Sequence, residues 1–388
     1  MVRTSAGFYR RPNDLGEKRM LDLRRLGKAA LAAIFAQALL FGCTAPAERT
    51  SAPATYANPV LDEDFPDPAV IRAPDGYYYA YATQSEVGGA FQNIQAARSL
   101  DLVAWERIGD VLPVKPAWAS RTQDYWAPHV AQHGGRYFLY YSAKPDSALA
   151  DQSQGLCLAV ATATGPQGPF TDIGRPLQCG PSFVNIDPMS FDDPRTGRRL
   201  LYWGSGFGPI KVQELAEDRI SFAPGSSPVD LVHVRPSQDP ADYQRLVEGA
   251  WVIYRAPYYY LFYSGDNCCG PNAHYAALVA RSRSATGPFE TMGEANGTGS
   301  SVMLAQRGIW VAPGHNSIIA DERGDEWIVY HAVDSRRPRS RADAEVNTRR
   351  VMLIDRIEWR DGWPRVAGDG PSTGPQPRPR TGRRAGGR

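Results

Sequence analysis

Helical patterning is the first thing this sequence lacks. From Tyr56 to about Val366 no stretch of useful length repeats apolar residues with a helical period, which argues against a helical protein. A membrane-spanning run is missing as well: the apolar segment Ala29 to Phe41 is too short to cross a bilayer comfortably. Cysteine is scarce, with 5 in 388 residues, and no second Cys-x-x-Cys or nearby ligand set supports a zinc site. There is no phosphate-binding glycine loop and no Ser/His/Asp nucleophile set. An excess of one charge is absent too, the net being +2, but the charge is unevenly placed. Residues 1–42 carry a balance of +5 and residues 371–388 another +5, leaving −8 for the middle. A mildly acidic folded part excludes nucleic acid as a partner.

What is plentiful fits a turn-rich all-β chain: 37 glycines, 32 prolines, 19 tyrosines and 9 tryptophans. The first 43 residues read as an export signal. Arg24, Arg25 and Lys28 precede the apolar run, and Leu40-Phe41-Gly42-Cys43 resembles a lipobox that would lipidate Cys43, although Phe41 is larger than usual there. Met20 is a second candidate start. An ordinary cleaved signal, giving a periplasmic or secreted protein, is the alternative to a lipid-anchored one. Residues 44–56 are rich in Ala, Pro, Ser and Thr and are expected to form a flexible tether. Residues 57–367 form the folded domain in this reading, and 368–388 a disordered basic tail. Of the remaining cysteines, Cys157 and Cys179 are candidates for a bridge, whereas vicinal Cys268-Cys269 is expected to be hard to pair internally.

One theme recurs five times, a turn followed by an aromatic strand that ends in Tyr plus a small residue. Tyr81, Tyr140, Tyr202, Phe262 and Tyr330 mark it, spaced by 59, 62, 60 and 68 residues. Five units of this length, each with several short strands, predict a five-bladed β-propeller of four-stranded blades. The first strand of every blade lines a central channel, so its entrance residues converge on one pocket. Reading back about 14 residues from each landmark gives Asp67-Pro68, Trp126-Ala127-Pro128-His129, Asp187-Pro188, Glu248-Gly249 and Gly314-His315-Asn316. Acids and histidines stand where structural repetition would demand uniformity, which marks a grafted site. Separated carboxylates in a pocket point to glycoside hydrolysis. One carboxyl must be protonated to assist the leaving oxygen, and one ionised to activate water. A third carboxylate near the acid would raise its pKa by like-charge repulsion.

Phe65-Pro66-Asp67-Pro68-Ala69-Val70, Tyr125-Trp126-Ala127-Pro128, Ile186-Asp187-Pro188, Val247-Glu248-Gly249-Ala250 and Pro313-Gly314-His315-Asn316-Ser317 together resemble glycoside hydrolase family 43. The closing segments Arg350 to Ile354 and Asp361-Gly362-Trp363-Pro364 resemble it too. The resemblance implies Asp67 as general base, Glu248 as general acid and Asp187 as pKa modulator, with inversion at the anomeric carbon. It implies a substrate contact for Arg350 and, at His315, a histidine at the channel centre that holds calcium or water. No cofactor is required for the chemistry; a structural calcium is the one ion to look for. His129 departs from the family, which usually has aspartate there. Trp126, Trp203, Trp251 and Trp310 are all candidates to stack on sugar, Trp126 and Trp251 foremost, although most tryptophans in such a fold are packing. Asp64 is expected to be structural.

The expected activity is an inverting glycosidase acting on α-L-arabinofuranosyl linkages of plant cell-wall polysaccharide, endo or exo, as a monomer. β-Xylosidase or arabinoxylan arabinofuranohydrolase is the alternative within enzymes, and a non-catalytic sugar-binding lipoprotein the alternative outside them. Invertase-like relatives are disfavoured because Asn-Asp-Pro-Asn-Gly is absent.

Overall fold

The computed structural model describes residues 54–339 and 348–381. The signal, lipobox and most of the tether expected at 1–53 lie outside the described residues. Alternation of aromatic and small residues produces five antiparallel sheets that follow one another along the chain. Blade 1 is Ala69–Arg72, Tyr78–Ala82, Gln95–Ser99 and Glu106–Asp110. Blade 2 is Tyr125–His133, Arg136–Ala143, Cys157–Ala163 and Thr171–Asp172. Blade 3 is Met189–Asp192, Arg199–Trp203, Ile210–Glu214 and Val229–Val232. Blade 4 is Val247–Arg255, Tyr258–Asn267, His274–Ser282 and Glu290–Thr291. Blade 5 is Trp310–Ala320, Glu326–Asp334, Arg350–Arg360 and Trp363–Val366. The five-bladed β-propeller read from the repeat is the observed architecture.

The aromatic landmarks fall in one register. Tyr81 pairs with Ala69, Tyr140 with His129, Tyr202 with Met189 and Phe262 with Trp251. Tyr330 falls where a bulge interrupts the ladder of blade 5, whose pairs jump from Gly314–His331 to Ser317–Val329. The apolar cores lie between blades. Tyr79, Tyr81, Tyr125 and Tyr141 fill the space between blades 1 and 2, and Tyr140, Leu201 and Trp203 that between 2 and 3. A larger cluster containing Trp251, Phe262, Trp310 and Tyr330 runs through blades 3 to 5. Trp203 and Trp310 are fully buried and pack the fold, so neither can stack on sugar.

The ring closes through the segment before blade 1. The fourth strand of blade 5 covers only Ile357 to Arg360 of its neighbour, which leaves the edge from Arg350 to Ile354 open. Val60 N–H donates to Met352 O (2.9 Å) and Phe65 N–H to Arg350 O (2.8 Å) there, so blade 1 is tied to blade 5. The disordered tail expected from residue 368 is not what the structure has between 368 and 381. Gln376–Pro377 pairs with Thr55–Tyr56, which also gives the end of the expected tether a strand. Ser372 N–H donates to Asp355 (3.2 Å), Trp310 Nε1 to Ser372 O (3.0 Å) and Arg380 N–H to Asp321 (2.8 Å). A Pro/Gly/Arg composition signals disorder only while its backbone has nothing to bond; here buried carboxylates supply the acceptors.

Candidate active site

A backbone kink places the functional side chains. Asp67, Ala127 and Asp187 have positive φ (58°, 48° and 58°), as does Gly249 (62°), while blade 5 has two such residues, Ala312 (50°) and His315 (47°). Left-handed residues at the entrances of the inner strands turn the chain so that neighbouring side chains face the channel. Five of the kinked residues, Asp67, Ala127, Asp187, Ala312 and His315, carry a side chain whose Cβ makes this conformation costly, a pattern that clusters at working sites.

Five of the kinks are held from the preceding blade. Thr83 Oγ accepts Ala127 N–H (2.7 Å), Ser142 Oγ accepts Asp187 N–H (3.1 Å) and Ser264 Oγ accepts His315 N–H (2.7 Å). From blade 5, His331 Nδ1 accepts Asp67 N–H (3.1 Å). Between blades 3 and 4 the acceptor is a carboxylate: Asp187 Oδ2 takes Gly249 N–H at 2.9 Å. One of the three acids therefore orients the residue next to another.

The three acids share one buried site but differ electrostatically. Asp67 accepts the Thr83 hydroxyl on Oδ2 (2.5 Å) and Arg350 Nη1 on Oδ1 (3.0 Å), with His315 Nδ1 3.4 Å and His331 Nδ1 3.2 Å from Oδ1. Burial opposes its ionisation, but the Arg350 guanidinium beside it holds it well below the usual carboxylate range. Glu248 is the opposite case. Burial pushes it up to about 7, opposed by the Tyr275 hydroxyl that donates to Oε1 at 2.7 Å and reinforced by the charge of Asp67. Asp187 is raised well above its ordinary value, by burial first and then by the charges of Glu248 and Asp67. Asp187, Glu248 and His315 bring ligand atoms within 4.8 Å of one another, so the two acids are close enough to titrate as a pair. The three ring histidines are neutral near pH 7: burial lowers His129 to about 3 and His331 to about 4, and lowers His315 as well.

Asp67, Asp187, Glu248, His315 and Arg350 all line one cavity of about 920 Å³. Trp126 lines it too, stacked on Phe183 with ring centroids 6.0 Å apart and planes 13° from parallel. Arg350 lines the cavity and is also the counter-charge of Asp67. Asp64 accepts Arg350 N–H (2.9 Å) and the Ser85 hydroxyl (2.7 Å), which fixes the backbone behind that guanidinium. Trp251 is not a substrate contact. It is 8% exposed, belongs to the core and packs edge-on to His129 at 5.2 Å, outside the large cavity. Its position pairs with the landmark Phe262, two residues past the kink, and so points below the pocket floor. His129 sits at the equivalent place in blade 2, where Nδ1 accepts Ser190 N–H (3.3 Å), a neutral packing role. Both line a cavity of about 20 Å³ under the site, room for about one water.

Several site residues were not apparent from the sequence: Tyr275 and His331 on outer strands, Phe183 and Phe207 on the rim, and Cys268-Cys269. Cys157 and Cys179 are bridged across adjacent strands, and the vicinal pair, expected to resist pairing, is itself joined as a disulfide. Calcium at His315 can be tested against the donors present. The ring is neutral and opens on the large cavity, and both amide atoms of neighbouring buried Asn316 have no partner. The imidazole nitrogen would fill one position and water oxygens the others of a hydrated calcium ion, which takes about 6–8 ligands, most of them oxygen.

The sequence model described as glycosyl hydrolases family 43 matches residues 56–364. The chain belongs to that family. Among family relatives, an extracellular exo-α-(1→5)-L-arabinofuranosidase of Cellvibrio japonicus is 27% identical over 321 residues, covering 78% of this chain and 86% of that protein. An extracellular endo-α-(1→5)-L-arabinanase of Bacillus subtilis is 28% identical over 346 residues, covering 86% and 95%. The crystal structure of a thermostable family-43 glycoside hydrolase superposes with a TM-score of 0.67 at 29% identity, over 84% of this chain and 99% of that one. Family 43 membership makes the chain an O-glycosyl hydrolase with a carbohydrate substrate.

Proposed function

We propose that the protein is an exported, inverting glycosidase that cleaves α-L-arabinofuranosyl linkages of arabinan-type polysaccharide. The observation that carries this reading is the opposed tuning of two carboxylates in one cavity: Asp67 held ionised by Arg350, Glu248 raised to about 7. In this reading Asp67 takes a proton from a water that attacks the anomeric carbon. Glu248 gives its proton to the departing glycosidic oxygen. Asp187 accepts Gly249 N–H and so orients the acid's backbone, while the charge that helps to raise Glu248 is that of Asp67. Inversion needs room for the water, about 6.5–9.5 Å between the two working carboxyls. A binding lipoprotein would have no use for an acid and a base tuned apart.

The arabinosyl preference draws on the names of the two relatives, one exo-acting and one endo-acting, and export on their description as extracellular. A lipid anchor on Cys43 and a monomeric state belong to the same proposal; palmitate labelling and sedimentation test them. Calcium held through His315 would add positive charge beside Asp67 and stiffen the channel, and no proton transfer passes through it. Thermal unfolding with and without a chelator tests that site.

The deciding experiment is product analysis on linear and branched arabinan beside nitrophenyl α-L-arabinofuranoside and nitrophenyl β-D-xyloside. Release of arabinose or arabino-oligosaccharides supports the reading. Turnover of the xyloside alone replaces it with β-xylosidase.

A further inference from the structure

The rim of the cavity is chemically divided. Blades 1 to 3 supply aromatic surface: Phe91, Trp126, Phe183 and Phe207 line it, and Phe207 is 67% exposed. The blade 4 side carries no aromatic among these lining residues. Cys268, Cys269 and Gly270 line it instead, with Thr348 beside them. The two cysteines are joined to each other and partly exposed, so the bridge faces the space that substrate must enter.

This loop is built and held. Asn267 Nδ2 donates to Cys269 O (2.8 Å), and Gly270 N–H donates to Thr348 Oγ (2.7 Å). At its base Asp266 has positive φ (68°) and accepts from Arg245, with His274 Nδ1 2.6 Å away. The His274 ring stacks on Tyr243 with centroids 4.0 Å apart. Joining adjacent cysteines ties both side chains and their shared peptide into one small ring with no rotamers left to lose and no hydrogen-bond donor on its sulfurs. Such a patch offers polarizable apolar contact at low entropic cost, the property that suits the C–H face of a sugar.

Its position relative to the acid defines what it would touch. Glu248 pairs with Ser264, and Cys268 lies four residues further along the same strand and loop, about 13 Å if extended. The general acid faces the leaving oxygen, so sugar on the leaving-group side lies against the acid's own blade. We propose that the Cys268–Cys269 disulfide is a substrate-contacting wall, an apolar subsite for sugar units on the leaving-group side of the scissile bond. This rests on the reading of Glu248 as the acid.

The test compares the full-length wild type with C268A/C269A on a linear α-1,5-linked arabino-oligosaccharide and on nitrophenyl α-L-arabinofuranoside, whose leaving group is too short to reach the wall. The expected result is a KM for the oligosaccharide that rises about tenfold more than that for the nitrophenyl substrate, with the kcat ratio within about twofold. Thr348→Val, which removes the anchor on Gly270 but leaves the bridge, should shift the same ratio in the same direction by a smaller factor. Equal loss on both substrates, or none on either, overturns the proposal. If the wild type cleaves xylo-oligosaccharides and not arabinosides, the arabinan reading fails. The KM split then measured on the xylo-series still decides the wall.

Discussion

Removing one hydroxyl should move the alkaline limb of the pH–rate profile upward. Tyr275 donates to Glu248 Oε1 at 2.7 Å, and this bond favours the ionised carboxylate, pulling down a pKa that burial has raised to about 7. Tyr275→Phe keeps the ring, which stacks parallel to His331 at 5.7 Å and leaves Gly314 no room for a side chain. A hydrogen bond to a charged group contributes about 1.5 kcal/mol, which corresponds to about one pKa unit. The acid works while protonated, so kcat/KM falls as pH rises through its pKa. Raising that pKa therefore extends activity to higher pH. The assay is kcat/KM from pH 4 to 10 on an arabinofuranoside, with the wild-type limb expected near 7 and that of Tyr275→Phe near ~8. Because Asp187 and Glu248 titrate as a pair, the limb reports their joint value, and the direction of the shift is the decisive part. A limb that stays put or moves to lower pH would refute the assignment of Glu248 as the acid.

The same raised pKa has a consequence for stability. A carboxyl whose pKa is higher folded than unfolded stabilises fully below its unfolded value and loses that contribution as pH rises through the folded one. Glu248→Gln should therefore raise Tm at pH 8 relative to wild type and change it little at pH 4. The shift from 4.5 to about 7 corresponds to about 3 kcal/mol at most, and solvent screening from the open cavity reduces this to about 1–2 kcal/mol. Gly314→Ala would set a Cβ 2.4 Å from the Tyr275 ring, so differential scanning calorimetry should show a loss of about 1–3 kcal/mol, together with a fall in kcat as the acid's hydrogen-bond partner moves. Trp126→Ala should raise KM several-fold with kcat nearly unchanged. An unchanged KM would make its stack with Phe183 a packing feature.

The fold was legible because the repeat carries its own register. The aromatic landmarks lie opposite the channel strands at one ladder position in four blades, so counting back from them reached the catalytic entrances. A further signal lay in the small residues after those landmarks. Thr83, Ser142 and Ser264 each stand two places beyond one, and each accepts the N–H of the next blade's kinked residue. Counting places Glu248 opposite Asp67, but the kink falls on Gly249, and Glu248 reaches the cavity from the residue before it. The alternation that follows the kink is what carried Trp251 inward, a difference of two residues that composition does not encode. Tyr275 and His331 were invisible because their partners come from other strands, 27 and 264 residues away along the chain. The tail failed as a prediction for a related reason: its order comes from acceptors such as Asp321 and Asp355, far away in the sequence.

Asp67 as base and Glu248 as acid imply a single displacement that inverts the anomeric carbon. Proton NMR of the first sugar released from an α-L-arabinofuranoside tests it most directly, before mutarotation blurs the signal. The β-anomer is the expected initial product. An initial α-anomer would mean that the base is a nucleophile and would contradict the single displacement.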